Sequence, residues 1–591
     1  MKKLLEIILK SKKKIEIVKI ILMLQLTALL DIFSVALIIP ILNIISNFEY
    51  FLSRPYFNSY KDFFINLSKI EVLLIVLSIF VFINILKSFY YAYTNYKILV
   101  FAKKINQYVS ANLVNKYLSE TYSYLTNKKN STLVRNLTEE IERVQYSVSN
   151  LLSLFAEIII SFLLLIFIFY IDPLSTAIIG FVMIAGSLTA KKMFNKKIEA
   201  WGLIKQSLYG TRLSKINDTF NSFVEIKLLN KIHKTEKEYL KMNSTYYDQI
   251  IKYNTIQTFP RFIIEILAII SFGAVIMTMT YKNYNLATIF NVLAVLAASS
   301  LRLMPSFNKM YGSLNALTFS ASSIKLIHSE LNEADKNFSE KESKINKNQP
   351  KRIEFTNNIQ LSDVSFRYSK QQKFLIKNCN LVIPKGSVIG LRGDTGSGKS
   401  TLIKIIIGLI QPCEGSVYVD SKEINNKEEI KNYNIEQWYE KISYVPQSIY
   451  LFNDSIRNNI SFELDKNEKL NKKEFDHNEK LFQNAINISL LRSFISELKE
   501  KEYTIVGENG IKISGGQKQR IGIARALYLN RDILILDEAT NALDHNTEKK
   551  LLENIKNSKK NLTIILISHK LENYTICDKV YAIKDGVLQL N

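Results

Sequence analysis

Apolar residues are unevenly spread along this 591-residue chain. They gather into runs of about 20 residues or more, long enough to cross a bilayer, and every such run lies in the first half. In lipid a backbone must satisfy its own hydrogen bonds, so these runs predict helices. Six are present, at roughly 17–46, 71–100, 149–171, 173–193, 256–280 and 286–306. The loops between the second and third runs and between the fourth and fifth are long and basic, whereas the turns at Asp172 and at Tyr281-Lys282-Asn283 are short. The positive-inside rule then places the long loops, the start (Lys2, Lys3, Lys10, Lys12, Lys13, Lys14) and the second half of the chain on the cytoplasmic side. Residues 1–14 read as an amphipathic lead-in along the inner surface. The first run is too long for a cleavable signal core and lacks a small-residue cleavage pattern. A formal charge of +23 also suits nucleic acid. The spans give those cations another partner, anionic inner-leaflet lipid, so no nucleic acid is expected. Cys379, Cys413 and Cys577 all fall in the half read as cytosolic, so no disulfide is expected.

Residues 329–352 are polar, charged and without apolar periodicity, which reads as a linker between a membrane domain, 1–328, and a soluble domain, 353–591. Beyond it, short β-branched runs alternate with helical patterns. Ser387-Val388-Ile389-Gly390-Leu391 leads into Gly393-Asp394-Thr395-Gly396-Ser397-Gly398-Lys399-Ser400-Thr401, and Ile533-Leu534-Ile535-Leu536 leads into Asp537-Glu538. Continuous apolar strands of this kind predict a parallel α/β sheet buried on both faces. The glycine loop has the form G-x-x-x-x-G-K-S, whose amides and helix N-terminus cradle phosphates. Lys399 is the residue for the β- and γ-phosphates, and the Ser400 hydroxyl is a magnesium ligand. Asp537 would hold magnesium through water, and Glu538 is placed to polarise an attacking water as general base. ATP and Mg2+ are the cofactors this set implies.

The glycine loop, then Ser514-Gly515-Gly516-Gln517, then Asp537-Glu538, in that order, resembles the ATP-binding-cassette family. The resemblance implies further roles. Gln447, in Tyr444-Val445-Pro446-Gln447, matches the glutamine loop that touches the metal site and the membrane domain. His569, in Ile567-Ser568-His569, matches the switch histidine at the γ-phosphate. Tyr368 matches the aromatic residue that stacks on adenine, and Asp544 belongs to the same ordered set. Ser514, Gly515, Gly516 and Gln517 open a helix that, in this family, contacts the γ-phosphate bound on the opposite subunit. One cassette per chain therefore implies a dimer. With Glu538 and both signature glycines intact, a C2 homodimer with two equal sites is expected. Ile513 stands where the family usually has Leu, and Asn541 where it usually has Ser; neither removes a phosphate or metal ligand. Six spans followed by one cassette resemble the exporter class: a multi-pass α-helical membrane domain joined to an α/β P-loop ATPase domain. Segments 118–130 and 210–230 are the candidates for its coupling helices.

Charged residues inside spans usually face a cavity or a partner. The spans and their ends carry Asp31, Lys87, Glu157, Arg261, Glu265, Arg302 and Lys309. On one reading Arg261 pairs with Glu265 one turn away, while Lys87 and Lys309 snorkel. On the other, Lys87, Arg261, Arg302 and Lys309 form a basic belt that attracts an anion such as a pyrophosphate. The stretches Leu301 to Lys309, Phe259-Pro260-Arg261 and Tyr450 to Ile456 are similar to those of the PglK-like bacterial lipid-linked oligosaccharide flippases, and the four basic residues occupy matching positions. This resemblance implies ATP-driven translocation of a polyprenyl-pyrophosphate-linked glycan across the bacterial inner membrane, with membrane lipid and the lipid-linked glycan as partners and a place in protein glycosylation. Export of lipid A, a peptide or hydrophobic drugs is the alternative within this architecture. A membrane-anchored regulatory ATPase without transport is the alternative of another class. Phe57, Tyr60 and Phe64 recur at helical spacing in the first outer loop, as in that family's short outer helix; trimming of ordinary span ends explains them equally.

Overall fold

The computed structural model describes residues 1–46, 48, 67–282, 284, 286–345, 354–369, 371–424, 435–462, 472–559 and 561–590. Phe57, Tyr60 and Phe64 lie outside the described residues. The chain divides into two compact units, one of Met1–Glu120 and Asn127–Asn337, the other of Thr121–Thr126 and Phe338–Asn591.

Helices cover the predicted spans of the first unit: Lys14–Ala36 with Ile38–Ser46, Lys69–Ser119, Ile141–Ile171, Pro173–Asn221, Ile232–Tyr281 and Leu286–Phe319. Among the described residues, the stretches Lys14–Ile45, Lys69–Ser119 and Asn130–Tyr170 have the length and apolarity to cross a membrane. The helix Lys69–Ser119 has 51 residues. At 1.5 Å per residue it measures about 75 Å, well beyond a hydrocarbon core of about 30 Å, so part of it stands outside lipid. A capping box starts it: Ser68 Oγ accepts from the Glu71 amide while the Glu71 carboxylate accepts from the Ser68 amide. Leu74, Phe82, Ile85 and Phe89 are exposed along it, an apolar surface suited to lipid. Its far end turns inward, where Phe101, Ile105, Val109 and Leu113 pack with Val144, Val148, Leu151 and Ile327.

Two expectations need correction. The N-terminal helix Lys2–Lys10 buries Leu4, Ile7 and Ile8 in that protein core, and Glu6 pairs with His328 at 2.5 Å. The face carrying Leu4, Ile7 and Ile8 is therefore satisfied by protein, while Leu5 and Leu9 stay exposed. The linker expected at 329–352 is helical at its start, because a helix spans Ala321–Ile345. Ile324, Ile327 and Leu331 are buried along it, and Glu330 bonds Lys116 at 2.6 Å and Lys128 at 3.1 Å. Lys116 is itself buried and also meets Glu333 at 2.8 Å. Charge that reads as linker polarity is used in pairing. Of the coupling-helix candidates, 118–130 contains the helix Tyr122–Asn127 and 210–230 the helix Phe223–Leu228, on which Phe223, Val224 and Leu228 are exposed. Thr121–Thr126 belongs to the second unit, where the Tyr122 ring lies 4.9 Å from Lys404 Nζ.

The second unit contains a four-stranded antiparallel sheet, ordered β2-β1-β4-β5, of β1 (Asn358–Phe366), β2 (Ile376–Pro384), β4 (Glu414–Val419) and β5 (Lys422–Glu423). Its other sheet has the order β10-β9-β3-β8-β7-β6, from β3 (Val388–Gly393), β6 (Ile442–Val445), β7 (Ile533–Asp537), β8 (Thr563–Ile567), β9 (Lys579–Lys584) and β10 (Val587–Leu590). Within this sheet β9, β3, β8, β7 and β6 are parallel. Every residue of β7 and β8 is buried, as their unbroken apolar runs require. The register pairs Leu391 with Ile567, Ile567 with Asp537, and Val445 with Leu536. The glycine loop, His569, Asp537-Glu538 and Gln447 therefore all leave from the carboxyl ends of adjacent parallel strands, where open α/β sheets place ligands.

Candidate functional site

The glycine loop joins β3 to the helix Lys399–Ile407. Gly396 and Gly398 take φ of +83° and +101°, which turn the loop amides inward at little cost only without a Cβ. Lys399 is buried and its Nζ donates to the carbonyls of Gly393 at 2.7 Å and Asp394 at 3.0 Å, curling the loop around the lysine. The Ser397 hydroxyl is buried with no hydrogen-bond partner, an orphan that a phosphate oxygen would satisfy. Thr401 shares a 2.9 Å hydrogen bond with the Tyr368 hydroxyl. The Tyr368 ring stands edge-on to Phe366 at 5.0 Å and is exposed, available to stack beside the loop. These residues fit ATP.

Ser400 Oγ donates to Asp537 Oδ1 at 3.1 Å, and the Tyr444 hydroxyl donates to Asp537 Oδ2 at 3.1 Å. Asp537 is buried, and burial pushes its carboxyl above the ordinary aspartate value; the bonds from Ser400 and Tyr444 oppose that shift. Burial, followed by the Asp537 charge, pushes the Tyr444 phenol up as well. Ser400 and Asp537 would hold Mg2+, which supplies charge neutralisation for a triphosphate. Gln447, a candidate for the same metal, instead donates to Glu538 Oε2 at 2.6 Å.

Glu538 sits just past β7 with φ of +52°, a conformation costing a non-glycine residue about 1–2 kcal/mol. Its amide donates to the Ile567 carbonyl at 3.1 Å, so the chain turns while still tied to β8. The turn brings the nearly buried carboxylate to Gln447, to Asn541 Nδ2 at 3.2 Å and to His569 Nε2 at 2.8 Å. Polar donors fix both oxygens without a permanent cation, which suits a carboxylate that must keep basicity toward water.

Ser514-Gly515-Gly516-Gln517 opens the helix Gly515–Tyr528 with a capping box. Ser514 Oγ accepts from the Gln517 amide at 3.2 Å, and Gln517 Oε1 accepts from the Ser514 amide at 2.9 Å. Asp544 caps the next helix through the Thr547 amide at 2.9 Å, a bond that holds its carboxyl below the ordinary value. Ser514, Gly515, Gly516, Gln517 and Asp544 line one cavity of about 390 Å³, whose lining includes no residue of the 393–401 loop. The expected site residues thus fall into two groups within one chain.

In the first unit, Lys87 Nζ lies 3.4 Å from Asp31 Oδ1, and Arg302 Nη2 lies 2.9 Å from Asp31 Oδ2 and 3.6 Å from Glu157 Oε2. Lys309 Nζ lies 3.1 Å from Glu157 Oε1. The Arg261 side chain lies outside the described residues. The basic belt is therefore corrected to a mixed-charge network in which Asp31 and Glu157 compensate Lys87, Arg302 and Lys309. Sequence reading noted both carboxylates without assigning them this role, although intramembrane charges ordinarily come in pairs. Tyr444 was missed too; a phenol in a strand otherwise buried and apolar needs a polar partner.

Two family models match the chain: ABC transporter transmembrane region over residues 35–305, and ABC transporter over residues 376–541. A solved bacterial Atm1-family ABC exporter with ATP bound superposes with a TM-score of 0.76 at 18% identity, covering 97% of this chain and 95% of that one. The chain has the ABC exporter fold, with a membrane domain and an ABC ATPase domain. Among curated relatives of this chain, the multidrug resistance-like ATP-binding protein MdlA of Buchnera aphidicola subsp. Baizongia pistaciae (strain Bp) is 41% identical over 222 residues, 37% of this chain and 36% of the relative. The ATP-dependent lipid A-core flippase of Escherichia coli (strain K12) is 32% identical over 249 residues, 42% of this chain and 40% of the relative. The chain thus spans only about two fifths of the length of these relatives.

Proposed function

We propose that this ABC exporter is an ATP-hydrolysing homodimer that moves an amphipathic lipid bearing an anionic head group across the bacterial inner membrane, with its ATPase domain on the cytoplasmic side. The observation that carries the ATPase part is the convergence of Lys399, Ser400, Asp537, Glu538, Gln447 and His569 at one edge of the parallel sheet. Lys399 and the loop amides bind ATP, Ser400 and Asp537 hold Mg2+, and Glu538 accepts the proton of the attacking water. Tyr368 stacks on adenine. Ser514, Gly515, Gly516 and Gln517, with Asp544 beside them, complete the site of a second copy. The separation of the two groups in one chain supports this dimer, as do the exposed Phe223, Val224 and Leu228.

For cargo, the relatives named as lipid A-core flippases and a multidrug resistance-like protein favour a lipid of the lipid A kind or a hydrophobic compound. The polyprenyl-pyrophosphate-linked glycan is the second reading; it is favoured by Lys87, Arg302 and Lys309 and by the local sequence resemblance, with Arg261 as a further basic candidate. Proteoliposomes supplied in parallel with lipid A, a polyprenyl-pyrophosphate glycan and a neutral amphiphile test both. ATP-dependent translocation of lipid A supports the first reading, and translocation of the glycan alone supports the second. ATP hydrolysis with transport of none of them overturns the exporter reading in favour of a regulatory ATPase.

A further inference from the structure

The charged network of the membrane unit contains more than a set of basic residues. Glu157 and Asp31 are almost completely buried, with side chains 1% and 5% exposed, whereas Lys309 is 42% exposed. The named ionic side chains are two carboxylates, Asp31 and Glu157, and three cations, Lys87, Arg302 and Lys309. If all are ionised, one positive charge is left over. Their order is a relay: Lys87 and Arg302 share Asp31, and Arg302 and Lys309 share Glu157. Ser306 joins the relay by donating to Glu157 Oε2 at 2.8 Å and accepting from Arg302 Nη1 at 3.1 Å. Lys309 also bonds the Tyr91 hydroxyl and lies 5.0 Å from that ring's centroid. The crevice beside them, lined in part by Tyr91, Asn95 and Lys309, holds about 10 Å³, no more than one water. An oxyanion the size of a phosphate is therefore accommodated by exchange rather than by filling a ready-made hole.

We propose that Glu157 is a resident stand-in for the cargo's anionic group. A phosphate monoester takes the place of the Glu157 carboxylate on Lys309 and Arg302, and the returning carboxylate expels it. This rests on the exporter reading and deepens it by naming a specificity residue. The logic is electrostatic. Cations at membrane depth need a counter-charge at every stage, so a site that alternates between loaded and empty needs an internal anion to refill it. Arg302 keeps Asp31 throughout, while Lys309, which among the described residues pairs with Glu157 and is the most exposed of the three cations, is where exchange begins. A cationic or neutral cargo has nothing to exchange with.

The test is equilibrium binding to the full chain in phosphatidylcholine nanodiscs. Phosphatidic acid is the lipid probe, and glycerol 3-phosphate is the soluble probe carrying the same phosphate monoester. Tighter binding of phosphatidic acid assigns the site to a lipid head group; equal binding of the two assigns it to the phosphate alone. Glu157→Gln removes the competitor and is expected to tighten phosphate binding about tenfold while slowing release of the probe; Lys309→Gln is expected to weaken it by at least as much. A Glu157→Gln protein with unchanged or weaker binding overturns the proposal, as does a Lys309→Gln protein that binds like the parent. Where Glu157→Gln does not fold, Glu157→Asp, which draws the carboxylate back by one methylene, is used instead and is expected to tighten phosphate binding in the same direction, unchanged or weaker binding again overturning the proposal. The exporter reading fails separately, by absence of ATP-dependent transport, whatever these binding constants are.

Discussion

Among the carboxylates buried in each unit, the pair Asp537 and Glu538 and the pair Asp31 and Glu157 are held in opposite ways. Asp537 and Glu538 receive hydrogen bonds from Ser400, Tyr444, Gln447 and Asn541, and Glu538 also meets the His569 ring. Asp31 and Glu157 are held by Lys87, Arg302 and Lys309. Polar donors position negative charge and leave it available to a metal ion or a water. Cations consume it. The first arrangement is suited to chemistry and the second to keeping charge tolerable in an apolar environment.

The sharpest way to break this contrast is to neutralise one carboxylate of the first pair. Glu538→Gln retains the shape and the neighbours, and steady-state ATP hydrolysis is expected to fall by about 100-fold or more, the scale of a lost general base, while ATP binding persists. Hydrolysis at the parent rate would show that Glu538 is a structural end to β7 and not the base. The second pair predicts a different signature. Arg302→Met leaves Asp31 with Lys87 and Glu157 with Lys309, and removes the guanidinium that joins the two halves. A loss of about 2 kcal/mol of stability is expected from removing charge-assisted hydrogen bonds to the two carboxylates, read as a lower unfolding midpoint. Unchanged stability would mean that Lys87 and Lys309 compensate the two carboxylates without Arg302.

How legible each pair was in the sequence follows from the same contrast. The ATP site is assembled from contiguous words at strand ends, because a phosphate-binding turn and a strand-to-loop carboxylate are local structures. Gly393 to Thr401 and Asp537-Glu538 could therefore be read directly, and the parallel sheet followed from the apolar runs before them. The membrane network draws Asp31, Lys87, Glu157 and Arg302 from four separate helices. No local pattern records which of those faces meet, so the cations were visible as a belt and their counter-ions were not recognised as such. The helix across the expected linker was hidden for a related reason: Lys116 lies more than two hundred residues from its partner Glu330.

A gentler perturbation separates position from charge at Asp537. Its carboxyl is held above the ordinary aspartate value by burial and pulled back by Ser400 and Tyr444. A raised folded-state value means that the folded chain holds this proton more tightly than the unfolded one. Its contribution to stability therefore declines as pH rises from the ordinary aspartate range through the folded value. The ionised form is the one that can hold Mg2+, so the acid limb of Mg2+ loading onto the metal-free protein should lie above the ordinary aspartate range. Tyr444→Phe deletes one donor to the anion and should move that limb to still higher pH, with a loss of about tenfold at a pH inside the limb, equivalent to about 1.4 kcal/mol. A limb that does not move assigns the acid transition to another group.

The smallest expected effect tests whether the polar clasp on Glu538 is tuned or redundant. Asn541 donates to Glu538 Oε2 at 3.2 Å, farther off than the His569 ring at 2.8 Å, and Gln447 already donates to the same oxygen at 2.6 Å. Asn541→Ser substitutes a side chain too short to make that bond in the same way. Losing one neutral donor of a partly exposed pair is worth about 0.5–1 kcal/mol, so turnover should change only about two- to fivefold. His569→Ala is the internal reference, because it removes a 2.8 Å partner from the other oxygen and should cost more. If Asn541→Ser costs as much as His569→Ala, the orientation of the carboxylate depends on all its donors together, and the left-handed turn at Glu538 is not enough by itself to aim it.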